Sequence, residues 1–141
     1  MTLIHATCVA VSGIGVLIRG ASGAGKSDLA LRLIDGGATL VSDDYCNVAA
    51  DGGRLLLTPP PNIAGKMEVR GYGIVTLAHH SSVAVGLVVD LAQETDIARM
   101  PEQQSCTIEG VSLPRLEVYA FAASAPAKIR VVLGTLAGHT P

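Results

Sequence analysis

The stretch Gly15-Val16-Leu17-Ile18-Arg19-Gly20-Ala21-Ser22-Gly23-Ala24-Gly25-Lys26-Ser27 decides the fold. Residues 15–19 read as a short strand, and residues 20–27 fit the phosphate-loop pattern G-x-x-x-x-G-K-[ST] without a mismatch. From Ser27 to Asp35, Leu29, Ala30, Leu33 and Ile34 recur at helical spacing before Gly36-Gly37, which predicts a helix. Strand, glycine-rich loop and helix in this order have a physical purpose. Glycines let backbone N–H groups close around phosphate oxygens, and the helix N-terminus adds the positive end of its dipole. On this reading Gly20, Ala21, Ser22, Gly23, Ala24 and Gly25 form the cradle, Lys26 neutralises the β/γ-phosphates and the Ser27 hydroxyl reaches Mg²⁺.

Working outward, Ala6–Val11 predicts a strand joined to the one before the loop by a turn at Ser12-Gly13. Beyond the helix, Ala38–Ser42 is a short strand delivering Asp43-Asp44, and Leu55–Leu57 is an extended run ahead of Thr58-Pro59-Pro60-Pro61. Met67–Val69 and Ile74–Leu77 flank Arg70-Gly71-Tyr72-Gly73. The near-continuous apolar run Val83–Leu91 predicts a strand buried on both faces. Leu116–Ala122 and Ile129–Leu133 are read as strands, which leaves a strand-rich α/β chain with one helix.

Composition narrows the function classes. The chain has 141 residues, 49% hydrophobic and 16% charged, with a formal net charge of −2, as expected of one domain over 1–141. Ten Lys and Arg against 12 Asp and Glu, with four aromatics (Tyr45, Tyr72, Tyr119, Phe121) and no Trp, argue against a nucleic-acid surface. The apolar segment from Ala6 to Ile18 has no Lys or Arg before it and runs into the loop, so it reads as structure rather than a secretory signal. No run reaches the ~18 apolar residues of a membrane span, and a cytoplasmic location is expected. Cys8, Cys46 and Cys106 are too few and too far apart for a disulfide framework or a zinc site, and read as small buried apolar residues. A mean hydropathy of +0.45 with 16 glycines implies a large buried sheet or faces hidden by self-association.

The acids decide what is done with a bound nucleotide. Asp43-Asp44 and Asp90 are the candidates for orienting a metal or taking a proton. Asp90, near the end of a hydrophobic strand, stands where a generic nucleotidase holds Mg²⁺. If extended, Asp43 and Asp44 point to opposite sides, one toward the phosphates and the other bracing a neighbour; the competing reading is an exposed turn of solvated acids. Glu68 and Arg70 alternate with Met67 and Val69, so on a strand both project from one face while the apolar pair anchors the other.

Three segments together resemble the catalytic domain of the HPr kinase/phosphorylase family: His5 to Ser27, Val41-Ser42-Asp43-Asp44, and Met67-Glu68-Val69-Arg70-Gly71-Tyr72-Gly73-Ile74. The Asp pair stands 17 and 18 residues past Lys26, and the resemblance covers about residues 3–100. It implies an α/β P-loop kinase domain of the HPr kinase / phosphoenolpyruvate carboxykinase-like type, strand-rich with a mixed central sheet. It further implies ATP and Mg as cofactors, the seryl hydroxyl of the phosphocarrier HPr as acceptor, a role in the phosphotransferase system and carbon metabolism, and a homo-oligomer, a hexamer in the family. Residue by residue, the resemblance gives the loop and Lys26 to ATP, Ser27 and Glu68 to Mg²⁺, and the general-base role to Asp44 with Asp43 beside it. It sets His5 next to that aspartate and puts Arg99 where the family presents a catalytic arginine, while Asp90 becomes structural or a support behind the residues that line the site. The family's N-terminal domain has no counterpart ahead of His5. Ala122–Lys128 replaces the basic segment tied to dephosphorylation, so a reduced, single-domain form that is more kinase than bifunctional enzyme is expected. His79, His80 and His139 match nothing in the family and read as surface residues.

Two other functions fit a phosphate loop. A small-metabolite kinase of the adenylate or shikimate type needs an arginine-rich lid, which ten scattered basic residues do not provide. A nucleotide-sensing regulator would bind ATP without turnover.

Overall fold

The computed structural model describes residues 1–138. Eleven strands and two helices follow in the order β1 (Thr2–His5), β2 (Thr7–Val11), β3 (Ile14–Arg19), α1 (Lys26–Asp35), β4 (Thr39–Ser42), β5 (Tyr45–Asp51), β6 (Arg54–Thr58), β7 (Lys66–Val69), β8 (Gly73–Thr76), β9 (Val83–Leu91), β10 (Gln104–Ile108), β11 (Val111–Val118) and α2 (Ala125–Gly138). Nine strands form one mixed sheet with the path β1-β5-β6-β9-β3-β2-β4, and β7 and β8 make a separate hairpin. The sheet forks at β9. Its first residues pair with β6 antiparallel, its last four pair with β11 parallel, and β3 runs parallel along its other edge.

Turn chemistry sets the hairpins. Ser12 and Gly13 both have positive φ and close the β2–β3 hairpin with Val11 opposite Ile14, as the two-residue turn requires. Gly52-Gly53 and Glu109-Gly110 close β5–β6 and β10–β11 in the same way. The helix α1 ends as its sequence prescribes. Gly37 takes φ 114°, its N–H bonds the Ile34 carbonyl, and the Ala38 N–H bonds the Leu33 carbonyl, so the last carbonyls are satisfied.

The expectation for β9 holds, with a refinement. Val16 and Ile18 of β3, with Leu87 and Val89 of β9, join Leu29 and Leu33 of α1 and Ile129 of α2 in one core. Leu17, Val83, Val85 and Val88 join a second core on the opposite face, with Val48 and Leu57 of the β5–β6 hairpin and Leu113 of β11. The sheet is therefore covered on both sides. The register with β3 shifts where Gly15 faces Val85 and Val16 faces Leu87, so Gly86 is the extra residue of a bulge. That one residue turns the odd positions of β9 from the second core to the first. Gly86 also lies against Ile14, where a Cβ would collide with the side chain.

Three sequence expectations are corrected. Residues 129–133 lie inside α2, not in a strand. The β-branched run Ile129-Arg130-Val131-Val132-Leu133 has strand composition, but Ala125, Ile129 and Leu133 are buried at helical spacing in the core shared with α1. Pro126 in the first turn is compatible with a helix start. The strand expected over 116–122 begins earlier and stops at Val118. Finally, β7 ends at Val69, so Arg70 sits in the turn to β8, where Tyr72 N–H bonds the Val69 carbonyl. Of the expected apolar anchors only Met67 is fully buried.

Cys8 and Cys46 are buried as expected, whereas Cys106 is half-buried. Burial pushes both buried thiols up, that of Cys46 to about 12, so neither is a reactive thiolate near neutral pH. Asp90 is held between two arginines. Arg19 grips it with Nε and Nη2 at 2.7 and 2.8 Å, and Arg115 donates from the other side. Burial pushes the Asp90 carboxyl up, but the hydrogen bonds from the two guanidinium groups outweigh it and hold the carboxyl below its usual range. His79 and His80 are exposed, and His139 lies outside the described residues. No described helix is long and apolar enough to cross a membrane.

Candidate active site

The phosphate loop opens onto a cleft of about 490 Å³. One wall is the loop and the start of α1, with Ser22, Gly23, Gly25, Lys26 and Ser27; Asp43, Asp44, Glu68, Arg70 and Phe121 line the rest. Gly23 and Gly25 adopt φ of 82° and 102°, the left-handed conformations that turn successive N–H groups into the loop. Lys26 is 6% exposed, and its ammonium donates to the carbonyls of Gly20 at 2.7 Å and Ala21 at 3.1 Å. Among the described residues no carboxylate pairs with it. A buried cation held only by neutral carbonyls is an arrangement suited to an anion.

Asp43 and Asp44 are neither extended nor free. They form a tight turn between β4 and β5 in which Tyr45 N–H bonds the Asp43 carbonyl at 2.8 Å and Asp44 takes φ 70°. A left-handed Asp costs about 1–3 kcal/mol and persists only where its surroundings fix it. Thr7, fully buried on β2, does so: its hydroxyl donates to Asp43 Oδ1 and accepts from the Asp44 N–H, both at 3.1 Å. Ser27 donates to the same Oδ1 at 2.7 Å, and the Glu68 N–H reaches Oδ2 at 3.3 Å. Asp43, 7% exposed, thus joins β2, α1 and β7. The Asp44 carboxylate is more than half exposed and has one side-chain partner among the described residues, His5 Nε2 at 2.7 Å from Oδ1. His5 ends β1, opposite Tyr45 in the ladder, and their rings lie 5.1 Å apart.

The fold therefore brings together His5, the loop, Lys26, Ser27, Asp43, Asp44 and Glu68. It does not bring Arg99 there. Arg99 is exposed in the irregular segment after β9 and does not line the cleft. Sequence reasoning missed Thr7, although a hydroxyl inside the apolar run Ala6–Val11 is the signal of a buried polar partner. It also missed Phe121 as part of the cleft wall.

The sequence model of the HPr Serine kinase C-terminal domain matches residues 1–132. The chain belongs to the HPr serine kinase C-terminal domain family. The match runs well past residue 100, where the resemblance by motif fades. HPr kinase/phosphorylase of Chlorobium limicola is 36% identical over 130 residues, covering 83% of this chain and 39% of that protein. That of Clostridium botulinum is 46% identical over 74 residues, covering 52% of this chain and 24% of the relative. The chain thus spans less than half the length of these relatives. The structure of the HPr(Ser) kinase/phosphatase from Coxiella burnetii superposes with a TM-score of 0.85 at 25% identity, covering 96% of both chains. The α/β fold with a strand-rich mixed sheet is therefore that of this kinase family.

Proposed function

We propose that this chain is an ATP- and Mg²⁺-dependent serine kinase acting on the phosphocarrier protein HPr, or a paralogue of it. The observation that carries the reading is that one cleft is lined both by the buried Lys26, which pairs with no carboxylate among the described residues, and by the exposed Asp44, whose carboxylate His5 holds from beside the cleft. Lys26 and the loop amides bind the nucleotide phosphates and offset the charge that develops during transfer. Asp44 takes the proton of the acceptor hydroxyl through Oδ2, which has no side-chain partner among the described residues, while His5, as the Nε2–H tautomer, holds Oδ1. The choice of Asp44 over Asp43 is supported by the bonding: both Asp43 oxygens are engaged by Ser27, Thr7 and Glu68.

The residues present fit a magnesium ion bound with the phosphates. Such an ion keeps several waters and takes one or two protein oxygens, and Ser27 and Glu68 supply hard oxygen donors to the same cleft. The ion, when bound, draws negative charge off the phosphates. Arg99 is assigned a catalytic role on family resemblance alone. A cytoplasmic site of action and self-association, as implied by the family, complete the reading.

The test is incubation of the protein with MgATP and HPr, followed by mass spectrometry, with a parallel arm in which phosphorylated HPr meets inorganic phosphate. Phosphoserine on HPr supports the proposal; its absence while ATP binds rejects it. Loss of that phosphate in the second arm adds the reverse reaction.

A further inference from the structure

We propose that Phe121 is the stacking platform for the base of the bound nucleotide, an inference that rests on the nucleotide-binding reading above. Strands β3, β9 and β11 run parallel, so the segment after β11 emerges at the same end of the sheet as the phosphate loop. Ligands of open α/β sheets bind at that end. Phe121 lies three residues beyond Val118, the last residue of β11, and is the one phenylalanine of the chain. It is 57% exposed although it lines the cleft, and it is the only aromatic ring in the cleft wall among the described residues. The ring is left open beside the phosphate loop.

The ring is also held in place. A Cβ on Gly25 would lie 3.0 Å from its Cζ and 3.1 Å from its Cε1, so Phe121 packs directly on the loop. Tyr119 meets it edge-on, with centroids 5.9 Å apart and planes at 75°. Arg32 of α1 bonds the carbonyls on both sides, those of Ala120 and, at 3.2 Å, Ala122, and is itself steadied by Asp28 at 3.1 Å. The helix that begins with Lys26 and Ser27 therefore fixes the ring as well. The loop captures phosphates by charge and amide donors. A base tethered to them through ribose needs a flat apolar face nearby, and Phe121 supplies it. Stacking accepts any base, since every base has a π-face, so ATP and GTP should share the platform.

Calorimetry with MgATP, MgGTP and magnesium tripolyphosphate separates the parts. Phe121→Ala should weaken ATP and GTP about tenfold or more while leaving tripolyphosphate within about twofold. The chain has no Trp, so Phe121→Trp introduces a single reporter; its fluorescence should be quenched by ATP and GTP but not by tripolyphosphate, and equal quenching by all three would overturn the platform. Unchanged ATP affinity in Phe121→Ala, or an equal loss for all three ligands, overturns the platform while the nucleotide site stands. A parent protein that binds none of the three overturns the nucleotide site itself, and the platform with it.

Discussion

Ser27, the second residue of α1, donates its hydroxyl to Asp43 Oδ1 at 2.7 Å. This bond ties the phosphate-loop helix to the β4–β5 turn, so Asp43 acts as a brace and Asp44 is left facing the cleft. Replacing Asp43 by Asn removes the charge that strengthens these bonds, and its amide oxygen can serve the Glu68 N–H only if its NH₂ turns to the Ser27 and Thr7 hydroxyls, which must then accept. Asp43→Asn should lose about 1–3 kcal/mol of stability in urea unfolding. An unchanged midpoint would mean that Asp43 is not a structural brace.

Thr7 is the other half of that brace. Its hydroxyl holds the left-handed Asp44, and Val has the same shape without it. Thr7→Val should cost about 1–3 kcal/mol and slow phosphoryl transfer, whereas Thr7→Ser should recover most of the transfer rate. Equal rates in Thr7→Val and the parent would dismiss the hydroxyl as a positioning group.

Gly25 meets two demands at once. It sits at φ 102°, and a Cβ there would press on Phe121 and Ala120. Gly25→Ala should lower stability by more than about 1 kcal/mol and weaken MgATP binding. Thermal unfolding with and without MgATP reads both effects, and an Ala variant with parental melting would contradict the tight packing.

Asp90 gives the fold an acid limit. Its carboxyl is held low by Arg19 and Arg115, so the folded chain binds fewer protons there than the unfolded chain. The stabilisation is complete above the ordinary carboxylate pKa of about 4 and is lost as pH falls through the lower folded value. Asp90→Ala strands two guanidinium groups and should cost about 2 kcal/mol near neutral pH, between the values for exposed and buried pairs. The variant's stability should also fall less steeply below pH of about 4. A parallel decline in both proteins would remove Asp90 from the acid response.

Much of this was legible where one interaction type governs. The strand β3, the glycine-rich connection that follows it, α1 with its Gly36-Gly37 stop, and the Ser12-Gly13 turn are local chemistry, and each lies where the sequence puts it. The Gly52-Gly53 and Glu109-Gly110 turns carry the same signal and would have revealed β5 and β10. Two features were hidden because long-range packing decides them. α2 takes its form from burial against α1 despite a β-branched run. The Asp43-Asp44 turn departs from an extended strand because Thr7, 36 and 37 residues away in sequence, bonds both of its acids. Phe121 was invisible for the same reason, since only the parallel alignment of β11 with β3 carries it to the loop.

The most direct test of the central claim is phosphoryl transfer to HPr by Asp44→Asn, with MgATP binding measured on the same sample. Asn tolerates the left-handed conformation, so the turn should persist. Transfer should fall by about 10²–10⁴-fold while ATP affinity is nearly unchanged. Parental transfer by Asp44→Asn, or an equal collapse of binding and transfer, would contradict the role of Asp44 as the base.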